Sequence, residues 1–300
     1  MQGNRRVVDR DDHEAAVGRL QHGRGLQRPS FPVDVPVPPA VATERRMIAD
    51  DAGRATESVP PHEASLPAWV PGLLSFVAGY VDSFTFLALF GLFVANVTGS
   101  FVTAGAELVI HDIGIAGKML AGLAFLVAAA LAAGLIGTIR ERGGAPLPWM
   151  LAVEAALLTV FSVLMLFGGP LGGASDWHGI VAGLFAAMAM GTQSVIVRLL
   201  MHGIPQTNVM TGNMTQLGIE ITGLLLAWRR ARAANDLETR KEFIVIRTQM
   251  LTVLATESGF MLGASCGAAA YAAVGLAGTP LAIVLVAGLA IGALWRKRTA

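Results

Sequence analysis

From Trp69 onward, apolar segments follow one another along the chain with only short polar interruptions. A helix needs about 20 apolar residues to cross the hydrocarbon core of a bilayer, and most of these segments reach that length. The pattern therefore predicts an all-α integral membrane protein. We expect eight helical segments, at Val70–Phe90, Phe93–Ile110, Ala116–Ile139, Leu147–Phe167, Gly179–Leu200, Ile204–Trp228, Met250–Val274 and Pro280–Trp295.

The second and sixth segments differ from the others because polar residues interrupt them. The second contains NVTGS at 96–100, and the sixth contains NVMTGN at 208–213. Glycine permits unusual backbone dihedral angles, and Asn, Thr and Ser side chains can satisfy backbone groups that a broken helix frees. We predict that both segments are re-entrant or broken. A packing seam of small residues between helices is the alternative interpretation.

The interrupted segments recur at a nearly constant distance along the chain. A shift of 112 residues, which becomes 113 if Met210 is an extra residue, aligns polar and glycine positions of the two halves. The aligned pairs are Gly79/Gly191, Gly91/Gly203, Asn96/Asn208, Thr98/Thr211, Gly99/Gly212 and Glu107/Glu220. Matches of Asn, Thr-Gly and Glu at consistent spacing predict a duplicated unit, with one repeat over 68–175 and the other over 176–300.

Composition and charge support the membrane interpretation. Of the 300 residues, 54% are hydrophobic and only 14% are charged, which argues against soluble enzymes, nucleic-acid-binding proteins and secreted disulfide-stabilised domains. Residues 1–68 hold nine of the 22 Lys and Arg and ten of the 21 Asp and Glu. This stretch is also rich in Pro and Gly and poor in aromatic residues, which predicts a disordered polar tail over 1–67.

The distribution of Lys and Arg among the predicted loops favours six spans over eight. Cytoplasmic loops carry an excess of these residues. With eight spans and a cytoplasmic N-terminus, Arg140 and Arg142 would lie outside. With re-entrant second and sixth segments, both arginines become cytoplasmic, and Lys118 alone lies outside.

The six-span topology also fixes the expected orientation of the halves. The loops 168–178 and 275–279, which contain no Lys or Arg, become external, and both termini become cytoplasmic. Three spans per half make the two repeats inverted relative to one another. Inverted repeats with broken helices near the middle of the bilayer are an architecture of secondary transporters.

Three stretches of the chain carry a family resemblance. They are AGYVDSFTFLALFGLFVANVTGSFVTAG at 78–105, MGTQSVIVRLL at 190–200 and TNVMTGNMTQLG at 207–218. With them the sequence resembles the YoaK family of bacterial multi-pass membrane proteins over residues 68–296. The resemblance implies about six transmembrane helices and a bacterial inner-membrane location, but no substrate or reaction. Relatives usually have TGN in the first half, so Ser100 departs from the pattern.

Five carboxylates fall within the apolar segments: Asp82, Glu107, Glu154, Glu220 and Glu257. An ionisable residue inside a bilayer costs several kcal/mol unless it is paired or hydrated. Arg198 is the only basic residue that we place at a comparable depth, and it lies near a helix end. We therefore expect that some of these carboxylates are protonated, hydrated or ready to take a cation or a proton. The alternative for Glu107 and Glu220 is that they snorkel or cap helices.

Two further features concern packing. Gly259, Gly263 and Gly267 form a GxxxGxxxG stripe, which predicts close helix packing, either within the chain or in a homo-oligomer. The lone cysteine, Cys266, is expected to be a small buried residue. No nucleophile elbow, P-loop or zinc-binding motif is recognisable, so we expect no enzyme activity, no cofactor and no metal.

Translocation of a small solute or ion, with or without proton coupling, is the leading functional hypothesis. Asp82, Glu107 and Glu220 would carry charge. The expected path residues are Asp82, Asn96, Thr98, Gly99, Ser100, Glu107, Asn208, Thr211, Gly212, Asn213 and Glu220. The alternative is a non-transporting membrane scaffold or regulatory protein. A wet centre that reaches both TG elements would favour transport, and a dry one would favour the scaffold.

Overall fold

The computed structural model describes residues 69–110, 114–201, 203–234 and 237–299. The predicted polar tail, residues 1–67, lies outside these described residues. The described residues form eight α-helices: α1 (Trp69–Ala88), α2 (Val97–Ile110), α3 (Ile115–Glu141), α4 (Pro146–Phe167), α5 (Trp177–Leu200), α6 (Met210–Ala234), α7 (Leu237–Val274) and α8 (Pro280–Thr299). This confirms the all-α fold and the eight predicted segments.

Five of these helical stretches are long and apolar enough to cross a membrane, judged by length and composition: Trp69–Ala88, Ile115–Glu141, Pro146–Phe167, Trp177–Leu200 and Phe243–Gly278. Helix α2 and the apolar part of α8, Pro280–Trp295, are shorter. Large apolar side chains such as Leu123, Leu126 and Leu131 of α3 are exposed, as expected for residues that face lipid. The chain is thus a helical protein of membrane character.

The second and sixth predicted segments begin later than the sequence indicated. Helix α2 starts at Val97 and α6 at Met210, so each is preceded by non-helical residues. The two starts are 113 residues apart, which places the extra residue of the second half in the loop before α6 and not at Met210. The charged stretch 229–247 is mostly helical, because α6 continues to Ala234 and α7 begins at Leu237.

The non-helical segments before α2 and α6 each follow a long helix, and each contains a glycine in the left-handed region. Gly91 has φ +82° and Gly203 has φ +75°. Only glycine adopts such angles without steric cost. Phe90, directly before Gly91, is also in the left-handed region with φ +53°, so the turn after α1 contains two such residues in succession. We call residues 89–96 the first break and residues 203–209 the second break.

The GxxxGxxxG stripe of α7 packs against α1 within the same chain. A Cβ atom on Gly259, Gly263 or Gly267 would lie 2.3, 2.0 or 2.3 Å from a backbone carbonyl oxygen of α1. These contacts advance together along both sequences, so α1 and α7 run parallel. Whether copies of the chain associate stays a prediction, and these glycines face α1. Cys266 is exposed, so the expectation that it is buried is wrong: it lies on α7 outside the glycine stripe.

Helices α3 and α5 make the matching contact. A Cβ atom on Gly191 of α5 would lie 2.4 Å from the Phe125 carbonyl oxygen of α3, and one on Gly79 of α1 would lie 2.2 Å from the Phe260 carbonyl oxygen of α7. The aligned glycines Gly79 and Gly191 therefore have the same role in the two halves. Each allows the first helix of its own half to pack closely on the third helix of the other half. These local matches support a duplication; the inverted arrangement of whole halves stays a prediction.

Candidate functional site

The first break is held by the carboxylate of Asp82. Its Oδ1 accepts hydrogen bonds from the backbone N–H groups of Val94 and Ala95, both at 2.7 Å, and of Asn96 at 3.3 Å. Asp82 lies six residues before the end of α1, or about 9 Å along the helix axis. The chain therefore turns back to this depth before α2 begins, which is the geometry of a re-entrant segment.

Two further side chains close the first break locally. Asn96 caps α2, since its Oδ1 accepts from the Gly99 amide at 3.2 Å and from the Thr98 hydroxyl at 3.0 Å. The Ser100 hydroxyl donates to the Phe93 carbonyl oxygen at 2.6 Å and accepts from the Phe93 amide at 3.0 Å. Together with Asp82, these contacts satisfy much of the backbone that the break leaves outside a helix.

The second break is held by amide and hydroxyl side chains. Gln193 of α5 donates through Nε2 to the Leu74 carbonyl oxygen at 2.7 Å and to the Thr207 hydroxyl at 3.1 Å. The Ser75 hydroxyl of α1 donates to the Thr207 carbonyl oxygen at 3.2 Å. Ser75, Gln193 and Thr207 are all buried. The second break is thus fixed between α1 and α5 by neutral groups.

Asn213, in the first turn of α6, ties the second break to α7. Its Nδ2 donates to the Gln206 carbonyl oxygen at 2.7 Å, and its side chain also hydrogen-bonds the buried carboxyl group of Glu257. The Asn213–Gln206 bond spans seven residues, as does the Ser100–Phe93 bond of the first break. The TGN and TGS elements therefore place a polar side chain at the same point of each break.

The two breaks contact each other. Asn208 Nδ2 of the second break lies 3.4 Å from the carbonyl oxygen of Ala95 in the first break. At the 113-residue offset of the two helix starts, Asn208 corresponds to Ala95 and not to Asn96, with which the sequence alignment pairs it, so the contact joins corresponding positions of the two halves. The breaks thus form one buried polar region, which we call the polar centre.

Several buried oxygen atoms of the polar centre have no hydrogen-bond partner among the described residues. They are Oε1 of Gln193, Oδ1 of Asn208 and Oε1 of Glu257. A buried polar atom without a partner costs about 1–3 kcal/mol, so such atoms usually meet water or a ligand. All three atoms are acceptors.

Glu107 has a basic partner, contrary to the sequence-based expectation. The Lys118 ammonium group, in the first turn of α3, forms a buried salt bridge with Glu107 Oε1 near the end of α2. The sequence places Lys118 at the external end of the third segment without a partner; it pairs because α2 returns toward the side of the chain where α3 begins. Glu107 is therefore bound to a fixed countercharge, whereas its matched residue, Glu220, accepts from the neutral Gln216 side chain at 2.6 Å.

The structure brings some predicted path residues to the polar centre and leaves others at the surface. Asp82, Ser100 and Asn213 are buried at the breaks. Glu107 and Glu220 are also buried, but they lie seven residues beyond Ser100 and Asn213 along α2 and α6 and are not part of the polar centre. Gly99 and Asn208 are half-buried, and the remaining residues, Asn96, Thr98, Thr211 and Gly212, are exposed. The TG dipeptides themselves therefore start the helices, while the residue after each dipeptide points inward.

Sequence reasoning missed Ser75, Gln193 and Thr207. The 112-residue shift places Gln193 and Ser194 opposite Val81 and Asp82. A polar pair at the position of the first-half aspartate, in the middle of an apolar segment, is a signal that could have identified them.

Glu154 lies apart from both breaks. It is completely buried in α4, and neither carboxyl oxygen has a hydrogen-bond partner among the described residues. Within the same residues, no three His, Cys, Asp or Glu side chains are grouped so that they could hold a metal ion.

Comparison with known proteins identifies one family. The model of a family described as protein of unknown function (DUF1275) matches residues 71–294, which include both breaks and all eight helices in whole or in large part. No curated protein and no solved structure matches the chain.

Proposed function

The chain belongs to the DUF1275 family of proteins of unknown function, and we propose that it moves a small solute or ion across a membrane. The observation that carries this proposal is the polar centre, where two helix breaks meet among apolar helices. A protein that only scaffolds a partner has no need of unpartnered polar atoms at such a place. A transporter needs them, because they replace the hydration shell of its cargo.

The proposed site consists of the breaks and the side chains that hold them. Asp82, Ser100 and Asn213 fix the backbone of the breaks, while Gln193 and Asn208 present free oxygens. Broken helices that meet at a binding site are the arrangement found in secondary transporters with inverted repeats. We include in the proposal the inverted relation of the halves and the bacterial inner-membrane location with both termini in the cytoplasm. We propose no catalytic step.

Proton coupling, if present, needs a carboxyl group without a fixed partner. Asp82 is bound to backbone amides and Glu107 to Lys118. Glu154 and Glu257 each have oxygen atoms without a partner among the described residues. Glu257 adjoins the second break through Asn213, whereas Glu154 lies apart from both breaks, so we assign coupling to Glu257 in preference to Asp82 and Glu107.

Purified protein in liposomes tests the proposal. Currents on a solid-supported membrane, and uptake of labelled neutral solutes, would be recorded for alkali cations, ammonium and methylammonium, amino acids, carboxylates and sugars. We expect a saturable response to one class. The response should be lost in Gln193→Leu/Asn208→Leu and kept in Ser265→Ala, a matched control on the exposed face of α7. Folded wild-type protein that responds to no class would contradict transport and favour the scaffold.

A further inference from the structure

We propose that the second break binds a monovalent cation, held by Gln193 Oε1, Asn208 Oδ1 and Glu257 Oε1. This inference rests on the proposed transport function and names the class of its cargo or coupling ion. The class comprises alkali ions and ammonium, which present the same positive charge to oxygen ligands.

The orientation of both amide side chains is fixed by their partners. Gln193 Nε2 lies 2.7 Å from the Leu74 carbonyl oxygen, and Asn208 Nδ2 lies 3.4 Å from the Ala95 carbonyl oxygen. A carbonyl oxygen can only accept, so the atom that faces it must be the amide nitrogen. The other end of each amide, an oxygen, is therefore the end left without a partner.

All three oxygens belong to side chains that surround one short segment, residues 206–208. Gln193 donates to Thr207, Asn208 is part of the segment, and Glu257 is joined to it through Asn213, which donates to the Gln206 carbonyl oxygen. Gln193 and Glu257 are only 1% and 3% exposed. The oxygens thus belong to side chains around a single non-helical stretch of backbone within the helical bundle.

The charge of this group of atoms selects the ligand. Two neutral amide oxygens and one carboxylate carry a charge of −1 and no free donor. The buried cation Lys118 is engaged by Glu107, and Arg198 is exposed, so neither supplies the missing positive charge. Oxygen ligands with a single carboxylate suit a monovalent ion better than a divalent one, which binds several carboxylates.

One opposing effect is too small to reverse this choice. The N-terminus of α6 carries about half a positive charge, which offsets only part of one carboxylate.

Thermal unfolding of the full-length protein in detergent tests the inference directly. Sodium, potassium, rubidium, ammonium or methylammonium chloride would replace N-methylglucamine chloride at constant ionic strength. We expect a saturable rise in melting temperature with at least one of the cations. A rise with the alkali ions assigns the site to them, and a rise with ammonium or methylammonium alone assigns it to ammonium. An identical response to every salt, or none, would overturn the inference.

Two variants and a matched control locate the effect. Glu257→Gln keeps an oxygen for the Asn213 bond but removes the charge, and should raise the half-saturating cation concentration about tenfold or more. Asn208→Leu removes a second ligand and should act in the same direction. Glu154→Gln neutralises the other unpartnered buried carboxyl and should leave the response unchanged. A response lost in Glu154→Gln but kept in Glu257→Gln and Asn208→Leu would refute this site.

The outcomes separate this inference from the transport proposal. Saturable stabilisation by a cation without any flux in liposomes would support the binding site and contradict transport. Flux of a neutral solute that is independent of the cation, with no cation-dependent stabilisation, would support transport and overturn the cation site.

Discussion

The two breaks occupy corresponding places in the chain but are built from different chemistry. In the first, one carboxylate oxygen of Asp82 collects three backbone amides, and Asn96 and Ser100 satisfy the rest locally. In the second, the neutral side chains of Gln193 and Asn213 hold the chain, and three oxygens around it stay without partners.

This difference indicates that the first break is structural and that the second break is suited to bind a ligand. A carboxylate oxygen that accepts three hydrogen bonds forms a rigid anchor. Amides that donate to carbonyl groups leave their oxygens free. The two breaks thus have similar backbones, but one is closed by a charge and the other is left open by amides.

The largest expected effect concerns the matched carboxylates of α2 and α6, Glu107 and Glu220. Lys118→Met leaves Glu107 buried without its countercharge and should destabilise the protein by about 3–5 kcal/mol. Glu220→Gln keeps the contact with Gln216 and should cost less than about 1 kcal/mol. Thermal unfolding of the purified variants measures both. Recovery of stability in Lys118→Met/Glu107→Met would confirm that an unpaired charge is the cause; equal effects of the two single variants would refute it.

The next largest effect concerns the side chains that hold the two breaks, Asp82 in the first and Gln193 in the second. Asp82→Ala leaves the amides of Val94 and Ala95 without their acceptor and should cost about 2–6 kcal/mol, at about 1–3 kcal/mol for each group. Asp82→Asn keeps an accepting oxygen and should cost much less. Gln193→Leu should lie below Asp82→Ala, since it removes one unpartnered oxygen together with the two hydrogen bonds. If Gln193→Leu is the more damaging change, the division into a structural and an open break is wrong.

A smaller effect compares the glycines of the TG elements. A Cβ atom on Gly99 would lie 2.9 Å from the Phe93 ring, whereas the nearest atom to a Cβ on Gly212 is Val209 Cγ1 at 3.5 Å. Gly99→Ala should therefore destabilise by about 1–3 kcal/mol through overpacking. Gly212→Ala should be neutral or stabilise by up to about 1 kcal/mol, because alanine favours helix. Melting temperatures that fall equally would show that the two helix starts are packed alike.

The smallest expected effect on stability concerns Asp176, a reference carboxylate outside both breaks. Asp176 caps α5, and hydrogen bonds from the Gly172 and His178 amides hold the pKa of its carboxyl group below the usual value. A lowered pKa stabilises the fold at pH values above the unfolded pKa, near 4, and this contribution is lost as the pH falls through the folded value. Below about pH 4 the free energy of unfolding should fall slightly less in Asp176→Asn than in the wild-type protein, because Asn does not titrate. An unchanged acid profile would show that the cap carries no charge effect.

The sequence predicted the fold well because its signals are local. Apolar length identified the helices, and polar residues such as Asn96 and Asn213 marked the breaks. The partners could not be predicted, because they depend on how far each break turns back. The sequence places Lys118 at the external end of the third segment and shows no partner for it, but the return of α2 brings Glu107 to it. The role of Gln193 could not be predicted, because it depends on a contact with Leu74 of another helix.

The sequence likewise did not predict which residues of the TG elements point inward. Thr98 and Thr211 are exposed, while Ser100 and Asn213 are buried. A helix has 3.6 residues per turn, so the register in which it packs decides which of two adjacent polar residues points inward.

Accessibility of single cysteines on α1 tests most directly whether the second break alone is a hydrated binding site. In a Cys266→Ala background, Ser75→Cys would report on the second break, and Thr85→Cys, one turn beyond Asp82, would be the matched control. Both positions are 0% exposed in the structure. We expect that a small cationic methanethiosulfonate reagent modifies Ser75→Cys, that the binding cation slows this reaction, and that Thr85→Cys stays unmodified. Equal reactivity at the two positions, or none at Ser75→Cys in the folded protein, would contradict it.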